Sequence, residues 1–222
     1  MSDVKDDDVV HIITIEGGIG AGKSSAMRFL QETRKGIHFI DEPVQQWEDS
    51  GLLEAMYSNT INSGCFQIAA LSTRMAPLLK AVREGQRLIV TERCPWSDME
   101  VFTKVNLDEK SHEFIAYKMA FDALMTAMPP FKLHVIYLHA DVDLLMARIS
   151  VRGRTAERMR DDEEKASMRA YLEKLQLRHD LFYSTKLATT RTLIDTNMEM
   201  DVVAHEVLDA VNAIAPVKLE VV

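Results

Sequence analysis

The sequence is poor in cysteine. Its two cysteines, Cys65 and Cys94, belong to no CxxC motif and have no paired histidines nearby. This pattern argues against a zinc site and against the disulfide framework of a small secreted domain. We expect both side chains to be reduced, buried thiols in a cytoplasmic protein.

The sequence also lacks a positive charge excess and a long apolar run. It has 34 acidic and 26 basic residues, for a formal net charge of -8, so we expect neither a nucleic acid nor a membrane as partner. No apolar run approaches the roughly 20 residues needed to span a bilayer. The opening MSDVKDDD is polar and acidic, unlike a secretory signal, and we expect residues 1–8 to be a disordered acidic tail.

Short β-branched runs alternate with amphipathic segments. The runs are VVHIITIE, IHFIDE, RLIVTE, KLHVIYLHA and RTLIDT. These runs alternate with segments that have the periodicity of amphipathic helices. The alternation predicts an α/β fold, in which a five-stranded parallel sheet has helices on both faces. The length suits one domain over residues 9–222. Helices are predicted over 51–58, 66–85, 95–105 and 108–128.

The segment TIEGGIGAGKSS, residues 14–25, directly follows the first predicted strand. It satisfies G-x-x-x-x-G-K-[ST], the P-loop pattern whose backbone N–H groups surround nucleotide phosphates. The helix that follows would direct its positive dipole end at the same anion. The pattern predicts a phosphate site at Gly17, Gly18, Ile19, Gly20, Ala21, Gly22, Lys23, Ser24 and Ser25, with Mg²⁺ at the Ser24 hydroxyl.

A P-loop alone is shared by GTPases, assembly ATPases and small-molecule kinases. The guanine-reading motif [NT]KxD would distinguish a GTPase. Neither Thr103-Lys104 nor Thr185-Lys186 is followed by the required aspartate. A GTPase is therefore disfavoured, and the rest of the chain must choose among the other classes.

Charged residues stand where the second and third predicted strands end, in DEPVQQW and TERCPWSD. Ligands of parallel α/β sheets bind at the carboxyl ends of strands. Glu42 could there accept the proton of an attacking hydroxyl. Glu92 could hold Mg²⁺, and Arg93 could contact the reacting oxygens. The alternatives are a surface Glu42 before the turn residue Pro43, and a surface ion pair of Glu92 with Arg93.

Two further sets of residues share a helical face. Gln67, Ala70 and Arg74 are spaced i, i+3, i+7, and Asp98 and Phe102 are spaced i, i+4. If they are buried, Gln67 and Arg74 need polar partners. A structural ion pair of Arg74 with Asp98 remains an alternative, and the aromatic residues could be ordinary core.

Four motifs, IEGGIGAGKSS, EPVQQW, ERCPWSD and RGRTAER, occur here in the order and approximate spacing of the deoxynucleoside kinases. That family includes deoxycytidine, deoxyguanosine and mitochondrial thymidine kinases, insect deoxynucleoside kinase and herpesviral thymidine kinase. The resemblance spans about residues 13–181 and implies a P-loop kinase fold with an arginine-rich lid at about 152–166. It further implies ATP and Mg²⁺ as cofactors, and a homodimer for which segment 108–128 is the candidate interface.

The resemblance also implies the reaction and its catalytic residues. The γ-phosphate of ATP would pass to the 5'-hydroxyl of a deoxynucleoside, in nucleotide salvage. Glu42 would be the general base and Arg93 its partner, with Lys23 at the phosphates. Ser24 and Glu92 would hold the metal.

A larger set is implied to bind the nucleoside: Glu42, Trp47, Tyr57, Phe66, Gln67, Ala70, Arg74, Arg93, Asp98, Phe102 and Glu157. Within it, Tyr57 and Glu157 would bond the sugar 3'-hydroxyl, and Trp47 would form the wall beside the sugar. Phe66 and Phe102 would lie against the base, whose Watson-Crick edge Gln67 would bond.

The combination of Ala70, Arg74 and Asp98 resembles the deoxycytidine and purine deoxynucleoside kinases. An aspartate paired with arginine accepts a hydrogen bond from an exocyclic amino group and crowds the methyl group of thymine. The sequence therefore predicts deoxycytidine or deoxyadenosine as the acceptor, in preference to thymidine.

The segment RISVRGRTAERMRDDEEKASMR is dense in both charges, which is typical of a solvated helix face. The resemblance instead implies a lid in which Arg152 and Arg154 cover the transferring phosphate, with Arg148 as a further contributor. Extra charged residues follow Glu157, so a shifted alignment would make Glu164 the sugar ligand. We favour Glu157, because both lid arginines keep their spacing to it.

Three other activities remain as alternatives. A thymidine-preferring kinase would share the whole pattern. A thymidylate kinase has a similar P-loop but binds an anionic acceptor, whereas EPVQQW places a carboxylate where the acceptor should lie. A P-loop ATPase that drives conformational change or assembly would leave the acceptor-like positions unexplained.

Overall fold

The computed structural model describes residues 9–215. Five parallel strands form one sheet in the order β2-β3-β1-β4-β5. Their bounds are β1 Val10–Gly17, β2 His38–Ile40, β3 Leu88–Glu92, β4 Phe131–His139 and β5 Ala188–Asp195. The predicted α/β class and five-stranded parallel sheet are confirmed, and the tail predicted at 1–8 lies outside the described residues.

Helices connect the strands and cover both faces of the sheet. They are α1 Lys23–Thr33, α2 Val44–Asp49, α3 Leu52–Tyr57, α4 Ser63–Arg83, α5 Pro95–Ser97, α6 Lys104–Asn106, α7 His112–Met125, α8 Val142–Arg152, α9 Asp162–Tyr183 and α10 Met200–Ile214. A π-helical turn, Asp98–Thr103, joins α5 to α6, and a 3-10 turn, Thr155–Glu157, lies between α8 and α9. Within residues 9–215, none of the helices combines the length and apolarity that a membrane span requires.

The core has two layers because β1 is buried on both sides. Ile12 and Ile13, adjacent in β1, have no exposed surface and face opposite layers. Ile12 belongs to the cluster that includes Met75 of α4. Ile13 belongs to the cluster that includes Met27 of α1 and Val207 of α10. The nearly continuous apolar sequence of β1 is thus explained by its central position in a parallel sheet.

The strand order places a crevice at the carboxyl end of β1. The chain adds β2 and β3 on one side of β1, and then β4 and β5 on the other. Ligands of open α/β sheets bind where the order reverses in this way. Gly17 ends β1 and Glu92 ends β3, with Glu92 aligned to Ile15 across the two strands. The P-loop and the segment TERCPWSD therefore meet at one edge of the sheet.

The prediction that both cysteines are buried is wrong for one of them. Cys94 is buried, but Cys65 is exposed. Cys65 lies in the first turn of α4, where the neighbouring Phe66 and Gln67 occupy the buried face. Since successive helical residues point about 100° apart, the inward orientation of these two side chains leaves Cys65 facing solvent.

The helix predicted over 95–105 is interrupted by the π-helical turn. The extra residue in that turn shifts the orientation of the side chains that follow. The turn contains Asp98 and Phe102, both of which line the cavity described below. In so short a segment, the spacing of apolar residues does not distinguish a π-helical turn, with its extra residue, from an α-helical one. The sequence therefore predicted the helix but not its π-helical turn.

Candidate active site

A cavity of about 480 Å³ opens at the carboxyl edge of the sheet. It is lined by most of the predicted site residues: Ile19, Gly20, Gly22, Lys23, Ser24, Ser25, Glu42, Trp47, Tyr57, Phe66, Gln67, Ala70, Arg74, Glu92, Arg93, Asp98, Phe102, Arg148, Arg152, Arg154 and Glu157. Three predicted phosphate-site residues, Gly17, Gly18 and Ala21, do not line it. These three residues are buried beneath the P-loop and contribute to its shape.

The backbone of the P-loop requires both glycines of its sequence pattern, Gly17 and Gly22. Gly17 has φ +146°, and a Cβ there would lie 2.4 Å from the carbonyl oxygen of Leu138. Gly22 has φ +95° and immediately precedes α1. Both backbones adopt conformations that other residues rarely reach. Ala21 has no exposed surface, so its role is packing beneath the loop rather than contact with a phosphate.

Lys23 folds back over the loop. Its Nζ donates hydrogen bonds to the carbonyl oxygens of Gly17, at 3.2 Å, and Gly18, at 2.9 Å. Burial, assisted by the positive charge of Arg93, lowers the pKa of Lys23 to about 7. The ammonium group therefore holds its proton weakly until an anion enters the loop, and a phosphate oxygen would stabilise the charged form.

Ser24 and Glu92 form an oxygen-rich pair beside the loop. The Ser24 hydroxyl donates to Oε1 of Glu92 at 2.9 Å. Burial and the nearby charge of Glu42 raise the pKa of Glu92. Within residues 9–215, no group of three or more His, Cys, Asp or Glu side chains is arranged around a metal position. One carboxylate and one hydroxyl suit Mg²⁺, which takes its remaining ligands from phosphates and water.

Glu42 is held by two arginines. Nε of Arg93 lies 3.1 Å from Oε1 of Glu42, and Nη2 of Arg74 bonds the same oxygen. Burial favours a higher pKa, but the charges of Arg93 and Arg74 outweigh it and lower the pKa of Glu42 to about 2. The carboxylate is only 14% exposed. Glu42 is therefore a largely covered, ionised group that lines the cavity, and the alternative of a surface residue before a turn is wrong.

Arg74 also bonds Asp98, on the opposite side of its guanidinium. Nη1 of Arg74 contacts Oδ1 of Asp98, and Cζ lies 4.9 Å from the ring centroid of Trp47. Burial raises the pKa of Asp98 to about 6, although Arg74 opposes the shift. The structural ion pair that the helical spacing left open is present. Because both residues also line the cavity, the two interpretations are compatible.

Aromatic side chains form part of the cavity wall. Trp47 and Phe66 pack edge to face, with centroids 5.4 Å apart. The indole N–H of Trp47 donates to the hydroxyl of Thr73 at 3.1 Å. Phe102 lies beneath the guanidinium of Arg93, whose Cζ is 4.4 Å from the ring centroid. Phe66 and Phe102 both present surface to the cavity, which a planar apolar group can contact.

The end of α8 and the charged segment that follows it border the cavity. Arg152 and Arg154 pair with Glu157, and Nε of Arg154 also lies 3.3 Å from Oε1 of Glu48 in α2. Arg148 lines the cavity while it donates to the carbonyl oxygen of Thr196 at 2.8 Å. All three arginines line the cavity beside the P-loop, so the solvated-helix interpretation does not describe Arg148 and Arg154, whereas Arg152 is also exposed to solvent.

Glu157 and Glu164 occupy different places. Glu157 is 4% exposed and lines the cavity with Tyr57. Burial, with contributions from Tyr171 and Glu157, raises the pKa of Tyr57 well above its usual value, so its hydroxyl remains a hydrogen-bond donor. Glu164 is only partly buried, accepts from the backbone N–H of Arg160 at 2.6 Å, and does not line this cavity. It lines a second cavity of about 660 Å³, which Tyr57 and Glu157 also border.

Sequence reasoning missed six residues that line the first cavity: Arg28, Val44, Leu53, Met56, Tyr171 and Met200. Most are apolar positions of a regular helical pattern, which predicts core and carries no signal of a binding site. Tyr171 comes from α9, far along the chain, and accepts a hydrogen bond from the amide of Asn106 at 3.2 Å. Only the packing of α9 against the π-helical turn brings it to the site.

The sequence pattern of the family described as deoxynucleoside kinase matches residues 13–216. A protein of Invertebrate iridescent virus 6 is 26% identical over 90% of this chain and 96% of its own. Deoxyadenosine kinase of Lactobacillus acidophilus is 26% identical over 84% of this chain and 86% of its own. The solved structure of deoxyadenosine kinase from M. mycoides shares the fold, with a TM-score of 0.72, 23% identity and coverage of 91% and 99%. With a P-loop, a Glu42 that two arginines hold at the cavity, and this match over nearly its whole length, the chain belongs to the deoxynucleoside kinase family of phosphotransferases.

Proposed function

We propose that the protein transfers the γ-phosphate of ATP to the 5'-hydroxyl of a deoxynucleoside, with deoxycytidine or a purine deoxynucleoside favoured over thymidine, in nucleotide salvage. One observation carries the proposal. The carboxylate of Glu42, held by Arg93 and Arg74, shares a single cavity with Lys23 and the Ser24–Glu92 pair. An acceptor hydroxyl and a donor phosphate could therefore meet away from bulk water.

Glu42 is suited to orient the acceptor hydroxyl rather than to act as a strong base. A carboxylate with a pKa of about 2 is weakly basic. The transition state of phosphoryl transfer is loose, so little proton transfer from the hydroxyl is needed before the bond to the leaving group weakens. The main contribution of Glu42 is then a hydrogen bond that holds the oxygen in line, and it takes the proton late in the step.

Positive groups surround the position where the phosphate would transfer. Lys23 and the N-terminus of α1 would hold the donor phosphates. Mg²⁺ would be held by Ser24 and Glu92, and when bound it neutralises charge on the phosphate oxygens. Arg152 and Arg154 would exchange their contacts with glutamates for contacts with the phosphoryl group as the lid closes.

The base preference rests on Asp98 and Arg74. Asp98 presents a carboxylate to the cavity while one of its oxygens is occupied by Arg74. Such a group accepts from an exocyclic amino group, and it leaves the carbonyl of thymine without a donor at that position. The relative from Lactobacillus acidophilus, a deoxyadenosine kinase, acts on a base that carries such an amino group.

The decisive experiment measures phosphoryl transfer from ATP and Mg²⁺ to deoxycytidine, deoxyadenosine, deoxyguanosine, thymidine and thymidine monophosphate. We expect transfer to the nucleosides, least to thymidine, and a fall in kcat of about 100-fold or more in Glu42→Gln. Glu54→Gln, at an exposed position outside the first cavity, is the matched control. Transfer only to the monophosphate would identify a thymidylate kinase, and hydrolysis without transfer would identify an ATPase.

We further propose a homodimer formed through α7. Ile115 and Met119 lie one turn apart on this helix and are 48% and 68% exposed. Phe114 and Tyr117, on the other side of the helix, are buried in the core. Burial of the two exposed apolar side chains against a second copy would remove this surface from water. Sedimentation equilibrium should show a dimer that Met119→Glu converts to a monomer, and an unchanged mass for the variant would contradict the interface.

A further inference from the structure

Arg93 has a strained backbone that its surroundings stabilise. Its φ is +62°, in the left-handed region, which is uncommon for a residue other than glycine. Its N–H donates to the carbonyl oxygen of Ile15 at 3.1 Å, and its carbonyl oxygen accepts from the Thr91 hydroxyl at 2.7 Å. Strain of this kind persists only where several contacts determine the conformation. The conformation directs the Arg93 side chain into the cavity.

Three groups surround the guanidinium of Arg93. Nε contacts Glu42, and the face of the guanidinium lies over Phe102. The third contact is Nη1, 3.3 Å from Nε2 of His179. His179 belongs to α9, is 1% exposed and does not itself line the cavity. It therefore contacts Arg93 from within the protein and not from the cavity.

The ring of His179 has one possible tautomer in this environment. Its Nδ1 lies 2.8 Å from the carbonyl oxygen of Leu175, which can only accept, so Nδ1 carries the proton. Burial and the charge of Arg93 lower the pKa of His179 well below its usual value, so the ring is neutral. Nε2 therefore presents a lone pair to Nη1 of Arg93 and accepts its hydrogen bond.

Aromatic packing fixes the plane of the imidazole. Tyr137 stacks on His179 with centroids 5.8 Å apart and an interplanar angle of 10°. The Tyr137 hydroxyl donates to Asp180 at 3.0 Å, which anchors the stack to α9. Phe102 meets the same imidazole edge to face, at 5.8 Å. The acceptor offered to Arg93 is thus held in place by packing from two sides.

We propose that His179 is a positioning residue for Arg93, whose guanidinium it orients towards Glu42 and the reacting oxygens. The inference rests on the proposed function for the role of Arg93. Free rotation of the guanidinium would misplace its donors, and a misplacement of about 1 Å can cost about 100-fold in rate. When His179 holds Nη1 of Arg93, the other guanidinium nitrogens remain directed towards the cavity.

The first experiment compares His179→Leu with His179→Gln. The amide oxygen of glutamine can replace Nε2 as an acceptor, whereas leucine retains bulk without an acceptor. We expect kcat to fall about 100-fold in His179→Leu, with KM for ATP nearly unchanged, and to recover by about tenfold in His179→Gln. Tyr137→Phe is the control, since it keeps the stack and removes only the bond to Asp180. An equal loss in Tyr137→Phe, which leaves the His179 acceptor in place, would show that the acceptor is not what matters and would overturn the proposal.

A double-mutant cycle tests the route through Arg93. In an Arg93→Lys background the guanidinium is absent, so His179→Leu should lower kcat by less than about threefold. If the two losses instead multiply, His179 acts independently of Arg93 and the proposal is wrong.

A measurement that needs no catalysis separates this inference from the proposed function. ¹⁵N NMR of the Arg93 side chain should show restricted rotation of the guanidinium in the parent protein and freer rotation in His179→Leu. If the parent protein is inactive but its Arg93 side chain is restricted, the proposed function is wrong and the contact between His179 and Arg93 is still supported. An active parent whose Arg93 signals are the same in both proteins would refute the positioning role.

Discussion

Glu42 and Asp98 are held by a single guanidinium, that of Arg74, whose two terminal nitrogens each bond one carboxylate. The carboxylate proposed to orient the acceptor hydroxyl is therefore linked through one side chain to the carboxylate proposed to read the base. The two groups differ sharply in acidity. Glu42 has a pKa of about 2, and Asp98 has a pKa of about 6.

This difference predicts a pH-dependent base preference. Asp98 is ionised above pH 6 and accepts from an amino group, whereas below pH 6 it is protonated and donates. From pH 7 to pH 5, kcat/KM for deoxycytidine should fall about tenfold relative to that for deoxyuridine, which carries a carbonyl at the same position. Glu42 stays ionised throughout this range. The measurement is the ratio of the two kcat/KM values against pH.

Asp98→Asn is the control for that prediction, because an amide does not titrate. Its ratio of kcat/KM values should be flat between pH 5 and pH 7. If the variant kept the pH dependence of the parent, another group would be responsible.

Lys23 should take up a proton when phosphate binds. Its pKa of about 7 in the free protein leaves it mostly neutral at pH 8. A bound phosphate favours the ammonium form, so binding of ADP without Mg²⁺ at pH 8 should take up close to one proton, and little at pH 6. Calorimetry in two buffers of different ionisation enthalpy measures the uptake. In Lys23→Met the uptake should disappear, and its persistence would assign it elsewhere.

The buried Glu157, and not the partly buried Glu164, should select for the sugar 3'-hydroxyl. The parent protein is expected to prefer deoxycytidine to 2',3'-dideoxycytidine. Glu157→Gln should reduce that preference by about tenfold or more, because a hydrogen bond to a charged acceptor is lost. Glu164→Gln, on the second cavity, should leave it unchanged. The opposite result, with Glu164 decisive, would support the shifted alignment of the lid.

Two glycines with positive φ should differ in their tolerance of alanine. At Gly36, with φ +76°, an added Cβ meets no atom within 4 Å. Gly36→Ala should therefore cost only the conformational term, about 1 kcal/mol, or about 2–4 °C in Tm. In Gly17→Ala, the clash with the Leu138 carbonyl should add about 3 kcal/mol or more. Thermal unfolding measures both variants, and equal losses of stability would show that the P-loop relaxes around the new methyl group.

The sequence by itself determined the architecture and most of the site. The apolar runs predicted five parallel strands because central strands of such a sheet are buried on both faces. The P-loop pattern predicted a phosphate site because its glycine and lysine positions have few other uses, and most of the residues it named line the cavity. Carboxylates at strand ends indicated Glu42 and Glu92 because the ends of parallel strands share one edge.

Only the tertiary structure decided which groups touch. The sequence offered an ion pair of Arg74 with Asp98, but no spacing indicates that the same guanidinium also bonds Glu42, which lies in a different segment of the chain. The buried His179 and the partly buried Tyr171 come from α9, whose periodicity is that of any amphipathic helix. The π-helical turn at Asp98, the left-handed backbone of Arg93 and the exposure of Cys65 depend on packing between distant segments. Local sequence restricts the backbone conformation and the burial of each segment. The contacts that set the pKa values and orientations of side chains arise only when distant segments pack together.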